Sequence, residues 1–350
     1  MHFLIYGTGA VGGYLGARLS NGDQEVRFLA RPAWAVAMGR DGLRLVEPRG
    51  ETVVVDFSVS SSLAEVVDGV DIVLLTVKAY DCEAAAAELA KSLPPNVPVV
   101  SFLNGIGSEA VLAAALGQER VLAACLTTAV QVERPGVVRV ERERGLGLGA
   151  THVVSSGLHR IFTAAGMSTS LYPRPEAMKW SKLLTNMAAN ATSAILGWTP
   201  AQVMDHPGTF RLEVEALREA VRVMRRLGWK PVSLPRVRVG LLGRGIFLPP
   251  ALLRPILARI VGRGRGNKPP SFNADIGRGR SEVYALNGAV VEHGRRLKVA
   301  TPANELLTAV FDGLVRGTTP PEDYRHQPER LLDEAASAGV PGLAGYNRRR

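Results

Sequence analysis

The stretch KLLTNMAAN, residues 182–190, places one ammonium and two amides at four-residue steps inside an apolar run. On a helix, Lys182, Asn186 and Asn190 then share roughly one face. A core helix does not bury such groups without partners, since each unsatisfied polar group costs about 1–3 kcal/mol. Hydride delivered to a ketone leaves negative charge growing on the carbonyl oxygen, which a nearby acid must protonate or stabilise. Lys182 is a cation suited to that task, and Asn186 and Asn190 are neutral donors for a substrate with carbonyl, carboxylate and hydroxyl oxygens. Spacing alone reads equally well as a solvated polar face, with Lys179 and Ser181 beside it. Ser271 and Glu282 form a second pair, eleven residues apart and so about three turns of one helix if that helix is continuous. A hydroxyl suits a carboxylate oxygen, and a carboxylate suits a lysine or a ribose hydroxyl. Gly277 and Gly279 weaken such a helix, and a capping Ser271 with a surface Glu282 is the plainer alternative.

A hydride must come from a cofactor, and the start of the chain offers a place for one. Gly7, Thr8, Gly9, Ala10, Val11 and Gly12 form a G-x-G-x-x-G loop directly after an apolar strand pattern and opening a helix. The glycines permit a tight turn, close approach of backbone to a pyrophosphate and tight helix–strand packing, while the helix N-terminus supplies N–H groups and a positive dipole end. Arg31 stands at the end of the second strand, where an NAD site usually carries an acid for the ribose hydroxyls. A guanidinium pairs with a 2′-phosphate that a carboxylate would repel, so NADP(H) is the expected cofactor. Lys78 and Asn104 each follow a later strand, and ligands of open α/β sheets bind outside those carboxyl ends. Ala129 is a weaker candidate for the same crevice.

The elements that must position these groups come in two kinds. Short β-rich runs at 2–7, 25–30, 71–77, 98–104 and 120–126 alternate with helical patterns at 10–20 and 81–93, the signature of a parallel sheet with crossover helices. A hairpin is expected around Arg49-Gly50, and a second strand pair after Pro135-Gly136. From about residue 172 the periodicity is helical, over 174–197, 209–227, 272–297 and 303–315. The plan is an NADP-binding α/β domain over 1–171, a helical substrate domain over 172–317 and a mobile, Pro- and charge-rich tail over 318–350.

The 350 residues, 46% hydrophobic and 21% charged, suit an ordinary soluble protein of two domains. A strand pattern follows Met1 almost at once, without a basic leader and apolar signal region, which leads us to expect a cytoplasmic location. Cys82 and Cys125 fit no metal-ligand spacing and are expected to be free thiols, and no metal site is expected among the scattered histidines. The net charge of +10 is uneven: residues 229–270 hold nine Lys or Arg and no Asp or Glu, among them Arg236, Arg238, Arg254, Arg259, Arg263 and Arg265. A solvated insertion with a short amphipathic helix is favoured there over peripheral membrane contact. No nucleic-acid partner is expected, and monomer and homodimer stay open.

These residues in this order resemble the ketopantoate reductase (2-dehydropantoate 2-reductase) family. The matching parts are GTGAVGG, Arg31, VKAYD, FLNGIG, the K-x-x-x-N-x-x-x-N segment, and the run from GRGRSEV through LNGAVVEHGRRL to the TP-x-N at 301–304. The resemblance implies a Rossmann-type domain plus an all-α domain, and reduction of a 2-oxo acid to a 2-hydroxy acid by NADPH. It implies Lys182 as general acid, and Asn104, Asn186, Asn190 and Ser271 as substrate contacts, Asn104 also lying close to the nicotinamide. It implies Glu282 as a group touching the cofactor and orienting the lysine, and Arg31 and Lys78 as cofactor contacts. Two departures bear on the substrate: GWTPAQVM, with Pro200, stands where relatives often carry an amide in N-G-E-L, and SFNADIG stands where S-M-L-Q-D is common. Ketopantoate is the leading substrate. A paralogous reductase of another oxo acid and a non-catalytic NADP-binding or membrane-surface protein are the alternatives.

Overall fold

The computed structural model describes residues 1–48, 50–255, 257 and 271–344. The chain divides into two compact units, Met1–Lys182 with Ser233–Val237, and Leu183–Val232 with the chain from Arg238 onward. The division falls inside the helix Pro175–Met187 rather than ahead of it at 171/172.

Twelve strands are described in the first unit. They are β1 (His2–Tyr6), β2 (Glu25–Leu29), β3 (Leu43–Glu47), β4 (Gly50–Val54), β5 (Ser58–Ser60), β6 (Ile72–Leu75), β7 (Val99–Ser101), β8 (Val121–Leu126), β9 (Ala129–Arg134), β10 (Val137–Arg142), β11 (Leu146–Gly149) and β12 (Thr169–Tyr172). Eight make one sheet in the order β12-β11-β8-β7-β6-β1-β2-β5. All its neighbours pair parallel except β8 and β11. Strands such as Ile72–Leu75 are buried throughout because apolar layers cover both faces. Alternate residues divide between the layers: Phe3 and Ile5 pack with Leu15 and Phe28, Leu4 and Tyr6 with Leu75 and Leu89. The order reverses at β1, which lies between β2 and β6, and open α/β sheets bind ligands at such a reversal, outside the strands' carboxyl ends.

The other four strands form a small sheet, β4-β3-β10-β9. Leu43, Leu45, Val138 and Val140 share an apolar cluster with Tyr14 and Leu15 of the first helix, Ala10–Ser20. Pro135-Gly136 is itself the turn joining β9 to β10, and β11 leaves for the main sheet, so no second pair follows that turn. Gly50 opens β4, while Arg49 lies outside the described residues.

The second unit is helical, and its long helix Pro207–Arg226 buries three carboxylates, Glu213, Glu215 and Glu219. Each is answered by donors. Arg218 pairs with Glu215 at 2.6 Å. Glu219 accepts the N–H groups of Ala303 and Asn304 at 2.9 and 3.0 Å and the Asn304 amide at 2.7 Å. It thereby caps the helix Pro302–Arg316, and Asn304 in turn accepts a bond from Asn287 of the helix Asn287–Leu297.

Three expectations need correction. The helix over 174–197 is interrupted, and the one over 272–297 is in pieces: Ser271–Ala274, Glu282–Ala285 and Asn287–Leu297. Gly277 and Gly279, at φ +71° and +73°, turn the chain between the first two pieces. The tail, expected to be mobile, is folded over its described part. It forms the helix Pro328–Ser337, whose Leu331, Leu332 and Ala335 are buried, with Val340 and Leu343 beyond it. Part of the basic insertion is described: the helix Val239–Gly245 is followed by Phe247, over whose ring Arg225 stacks at 4.4 Å, and Arg218 donates to the carbonyls of Ile246 and Leu248. Arg259, Arg263 and Arg265, like the arginines at 348–350, lie outside the described residues.

Burial pushes the Glu219 carboxyl up to about 7, outweighing the backbone and amide donors that act in the other direction. A folded-state value above the unfolded one means that the folded protein holds the proton longer. Glu219 therefore contributes stability that is full below about pH 4.5 and lost as pH rises toward 7, about 3 kcal/mol in all. Denaturant titrations between pH 5 and 8 should show Glu219→Gln destabilised at low pH yet lacking that share of the slope. An unchanged slope would mean that Glu219 does not titrate there.

Candidate active site

The chain leaves β1 into a loop whose shape is set by glycine. Gly7 has φ +103°, and a Cβ there would stand 2.8 Å from Val77 Cγ1. A Cβ on Gly12 would stand 2.3 Å from the Gly7 carbonyl oxygen and 2.6 Å from Thr76 Oγ1. Thr76 donates its hydroxyl to that same carbonyl at 2.5 Å, and the Thr8 hydroxyl donates to Leu29 O at 3.2 Å. The helix Ala10–Ser20 that follows has no side-chain cap and no acid in its first turn. Gly9 differs from its neighbours: its φ of −109° is open to any residue, and a Cβ there would meet nothing within 4 Å. Nothing in the protein itself requires glycine at that place. A group seated against the uncapped helix N-terminus would require it, and a pyrophosphate is such a group.

Other expected residues gather along the carboxyl edge of the sheet. Arg31 follows β2 as the residue before the helix Pro32–Asp41; its side chain is 79% exposed, with a guanidinium nitrogen 3.8 Å from Asp81 Oδ2. Lys78, half-buried, precedes the short helix Ala79–Asp81 after β6. Asn104, half-buried, follows β7 and is joined by Gly105, at φ +88°, to the loop leading to the helix Ser108–Leu116. Ala129 is half-buried as the first residue of β9, in the small sheet and not in a loop.

Lys182 lies on the helix Pro175–Met187, which comes close to the sheet because β11 reads Leu-Gly-Leu-Gly. A Cβ on Gly147 would stand 2.7 Å from Met178 Sδ, and one on Gly149 3.1 Å from Pro175 Cγ. Burial pushes the Cys125 thiol of β8 up, and the ammonium groups of Lys182 and Lys179 partly offset it. Lys179, adjacent to the polar stripe in sequence, is buried: its Nζ donates to Leu103 O at 2.5 Å and lies 2.8 Å from Glu109 Oε1.

Lys182 and Asn186 share this helix and are both half-buried, but Asn190 is not on it. Ala189 takes φ +53°, and the buried Asn190 precedes a new helix, Ala191–Leu196. The interruption has a cause elsewhere in the chain. Glu213 accepts the Ala189 N–H at 2.8 Å and the Thr192 hydroxyl. Ser271 and Glu282 each open a separate short helix in the second unit, so they are not three turns apart on one. Glu282 is buried, and Ser281 beside it donates to Asp275 and accepts from the Val283 N–H. Phe272 stacks on Phe311 at 4.7 Å, holding this segment to the helix Pro302–Arg316.

Pro200 has a structural role of its own. It opens the helix Pro200–Asp205 behind a Thr199–Gln202 capping box. Next to it Trp198 donates its indole N–H to His326 Nδ1 at 3.1 Å and meets the His206 ring edge-on. Sequence reading missed Lys179, Glu109, Glu213 and Thr76 as parts of the setting. A signal existed for Glu213: it precedes Ala216 and Leu217 on an apolar helix stripe, where a carboxylate must find donors.

Comparison with known proteins bears on family and fold. The family model for ketopantoate reductase PanE/ApbA matches residues 3–152, and the model for its C-terminal part matches 175–315. A 2-dehydropantoate 2-reductase of Halobacterium salinarum is 29% identical over 308 residues, covering 86% of this chain and 95% of its own length. The crystal structure of a PanE/ApbA family ketopantoate reductase from Ralstonia eutropha JMP134 superposes with a TM-score of 0.78 at 29% identity, covering 91% of this chain and 99% of the other. D-mandelate dehydrogenase in a ternary structure with NADH and anilino(oxo)acetate shares the fold, with a TM-score of 0.75 at 19% identity over 91% of this chain and all but about 1% of its own.

Substitution separates the two kinds of glycine in the loop. Gly12→Ala should cost about 3 kcal/mol in thermal or denaturant unfolding, because backbone and strand must move apart. Gly9→Ala should leave stability within about 0.5 kcal/mol yet weaken dinucleotide binding about tenfold or more in fluorescence titration. Undiminished binding by Gly9→Ala would remove the case for phosphate at this helix.

Proposed function

The chain belongs to the ketopantoate reductase family, and from that premise we propose that it reduces a 2-oxo acid to a 2-hydroxy acid with NADPH. The leading substrate is 2-dehydropantoate, which would place the reaction in pantothenate biosynthesis. One observation carries the reading above the others: an uncapped helix N-terminus behind the open Gly9, at the edge where strand order reverses.

The residues present fit the cofactor. Gly7 to Gly12 would hold its pyrophosphate through backbone N–H groups, and Arg31 would pair with its 2′-phosphate. Lys78 and Asn104 would contact it from the neighbouring strand ends, with Ala129 a weaker contact. When bound, NADPH supplies the hydride. Lys182 donates a proton to the substrate's carbonyl oxygen as negative charge grows there, then recovers one from solvent. Asn104, Asn186, Asn190 and Ser271 donate to the carbonyl, carboxylate and hydroxyl oxygens, fixing which face of the ketone is presented. Glu282 would, as the resemblance implies, touch the cofactor and orient the lysine.

A second reading, reduction of a bulkier and more apolar 2-oxo acid, is favoured by Trp198. Its ring is fixed by His326 and His206 in the segment where relatives often carry an amide. A substrate panel separates the two readings.

NADPH oxidation followed at 340 nm with ketopantoate, against an aryl 2-oxo acid, is the direct test. Lys182→Ala should lower kcat by about 10²–10⁴-fold. Wild-type turnover in that variant would remove Lys182 as the acid. Arg31→Ala should raise the KM for NADPH about 10- to 100-fold and leave NADH almost unaffected. Equal losses for the two cofactors would remove the 2′-phosphate role.

A further inference from the structure

Lys179 is 4% exposed, and its ammonium reaches two groups of one loop. It donates to the carbonyl of Leu103, the residue before Asn104, at 2.5 Å. It also pairs at 2.8 Å with Glu109, in the first turn of the helix Ser108–Leu116. The loop between those contacts contains Gly105 and Gly107, both in the left-handed region at φ +88° and +109°. Two such glycines leave its path weakly determined by its own sequence, because glycine is the least restricted residue. The anchor on its far side is the helix Pro175–Met187, with Lys179 one turn ahead of Lys182.

A buried ion pair adds little net stability, since desolvation offsets most of the attraction. Its consequence here is geometric. One side chain ties the strand end bearing Asn104 to the helix bearing Lys182, at both ends of a glycine-containing loop.

We propose that Lys179, with Glu109, is a positioning residue that sets the separation between the Asn104 amide and the Lys182 ammonium. The proposal rests on the roles given above to Asn104 and Lys182. It assigns Lys179 no contact with substrate or cofactor. Its effect is on kcat, because a misplacement of about 1 Å in a reacting constellation can cost about 100-fold in rate.

The test uses the full chain in four forms: wild type, Lys179→Met, Glu109→Gln and the double variant, with Lys182→Ala alongside. The double variant removes both charges of the pair together, so it stays measurable where the single lysine variant folds poorly. Hydrogen–deuterium exchange of the 104–109 amides without cofactor should rise about tenfold or more in the double variant, with exchange of β1 and β6 unchanged. Its kcat should fall about 10- to 100-fold while the Kd for NADPH stays within about threefold. Glu109→Gln alone keeps the Leu103 contact and should lose less. Unchanged loop exchange overturns the proposal whatever the activity. So does wild-type kcat in the double variant, which would reduce Lys179 to a neutraliser of Glu109. Wild-type turnover by Lys182→Ala beside increased loop exchange would instead show that the catalytic assignment had failed and the clamp had not.

Discussion

No side chain fits between the carbonyl of Gly7 and the first turn of the helix that follows it. Gly12 lies so close that one added carbon would stand 2.3 Å from that oxygen. This contact holds the helix N-terminus against the end of β1, and Thr76 of the neighbouring chain segment completes it by bonding the same carbonyl. The rest of the first unit follows from where that helix end must be. Crossovers return β2, β6 and β7 in parallel, so Arg31, Lys78 and Asn104 arrive at the same edge by topology and need no special local device. The small sheet closes over the outer face of the helix through Val138 and Leu43, and a Cβ on Gly13 would be 2.7 Å from Val138 Cγ2.

A different constraint governs the segment from Lys179 to Asn190: polar groups inside an apolar run must be answered individually. Lys179 is answered by Leu103 and Glu109. The unwinding at Ala189 releases an N–H that Glu213 takes up, and Thr192 satisfies the other carboxylate oxygen. Two buried charges, one on each side of Lys182 in sequence, are therefore held by partners from elsewhere in the chain, and that of Glu213 falls where the helix is interrupted. An unanswered charge at either place would cost more than the local helix could return. That is why the stripe could not simply continue for two further turns.

This explains what was legible in the sequence and what was not. The glycine loop, the five parallel strands β1, β2, β6, β7 and β8 and the helices over 10–20 and 303–315 depend on periodicity and neighbours within a few residues, so pattern alone revealed them. The break at Ala189 depends on Glu213, twenty-four positions away. The first piece of the 272–297 segment gives way to a turn at Gly277 and Gly279, and its Phe272 is held by Phe311, thirty-nine positions away. Neither partner marks the segment it acts on, although Glu213 stands out on the apolar stripe of its own helix. Leu331, Leu332 and Ala335 did leave one, at helical spacing, but charge and proline around them drew attention to solvation instead. The residues proposed for the site could be read as types. Whether Lys182, Asn186 and Asn190 lay on one continuous face was not, because helix continuity is decided by tertiary partners.

The selection of cofactor turns on a balance the sequence only half expressed. Arg31 was visible at the end of the second strand, but Asp81, at 3.8 Å from its guanidinium, comes from after β6 and is brought there by the sheet. With its side chain 79% exposed, Arg31 gains little from that pair, since solvent and salt screen a single carboxylate at such a distance. A 2′-phosphate offers nearly two charges and several acceptor oxygens to a fork of donors, a charge-assisted and bidentate contact rather than a simple proximity. Under the proposed reading, the dianion wins Arg31 from Asp81 at small cost. On that reading Asp81 would only weakly disfavour a cofactor that leaves the arginine unclaimed, and discrimination would rest on what the phosphate gains and not on what the bare ribose loses.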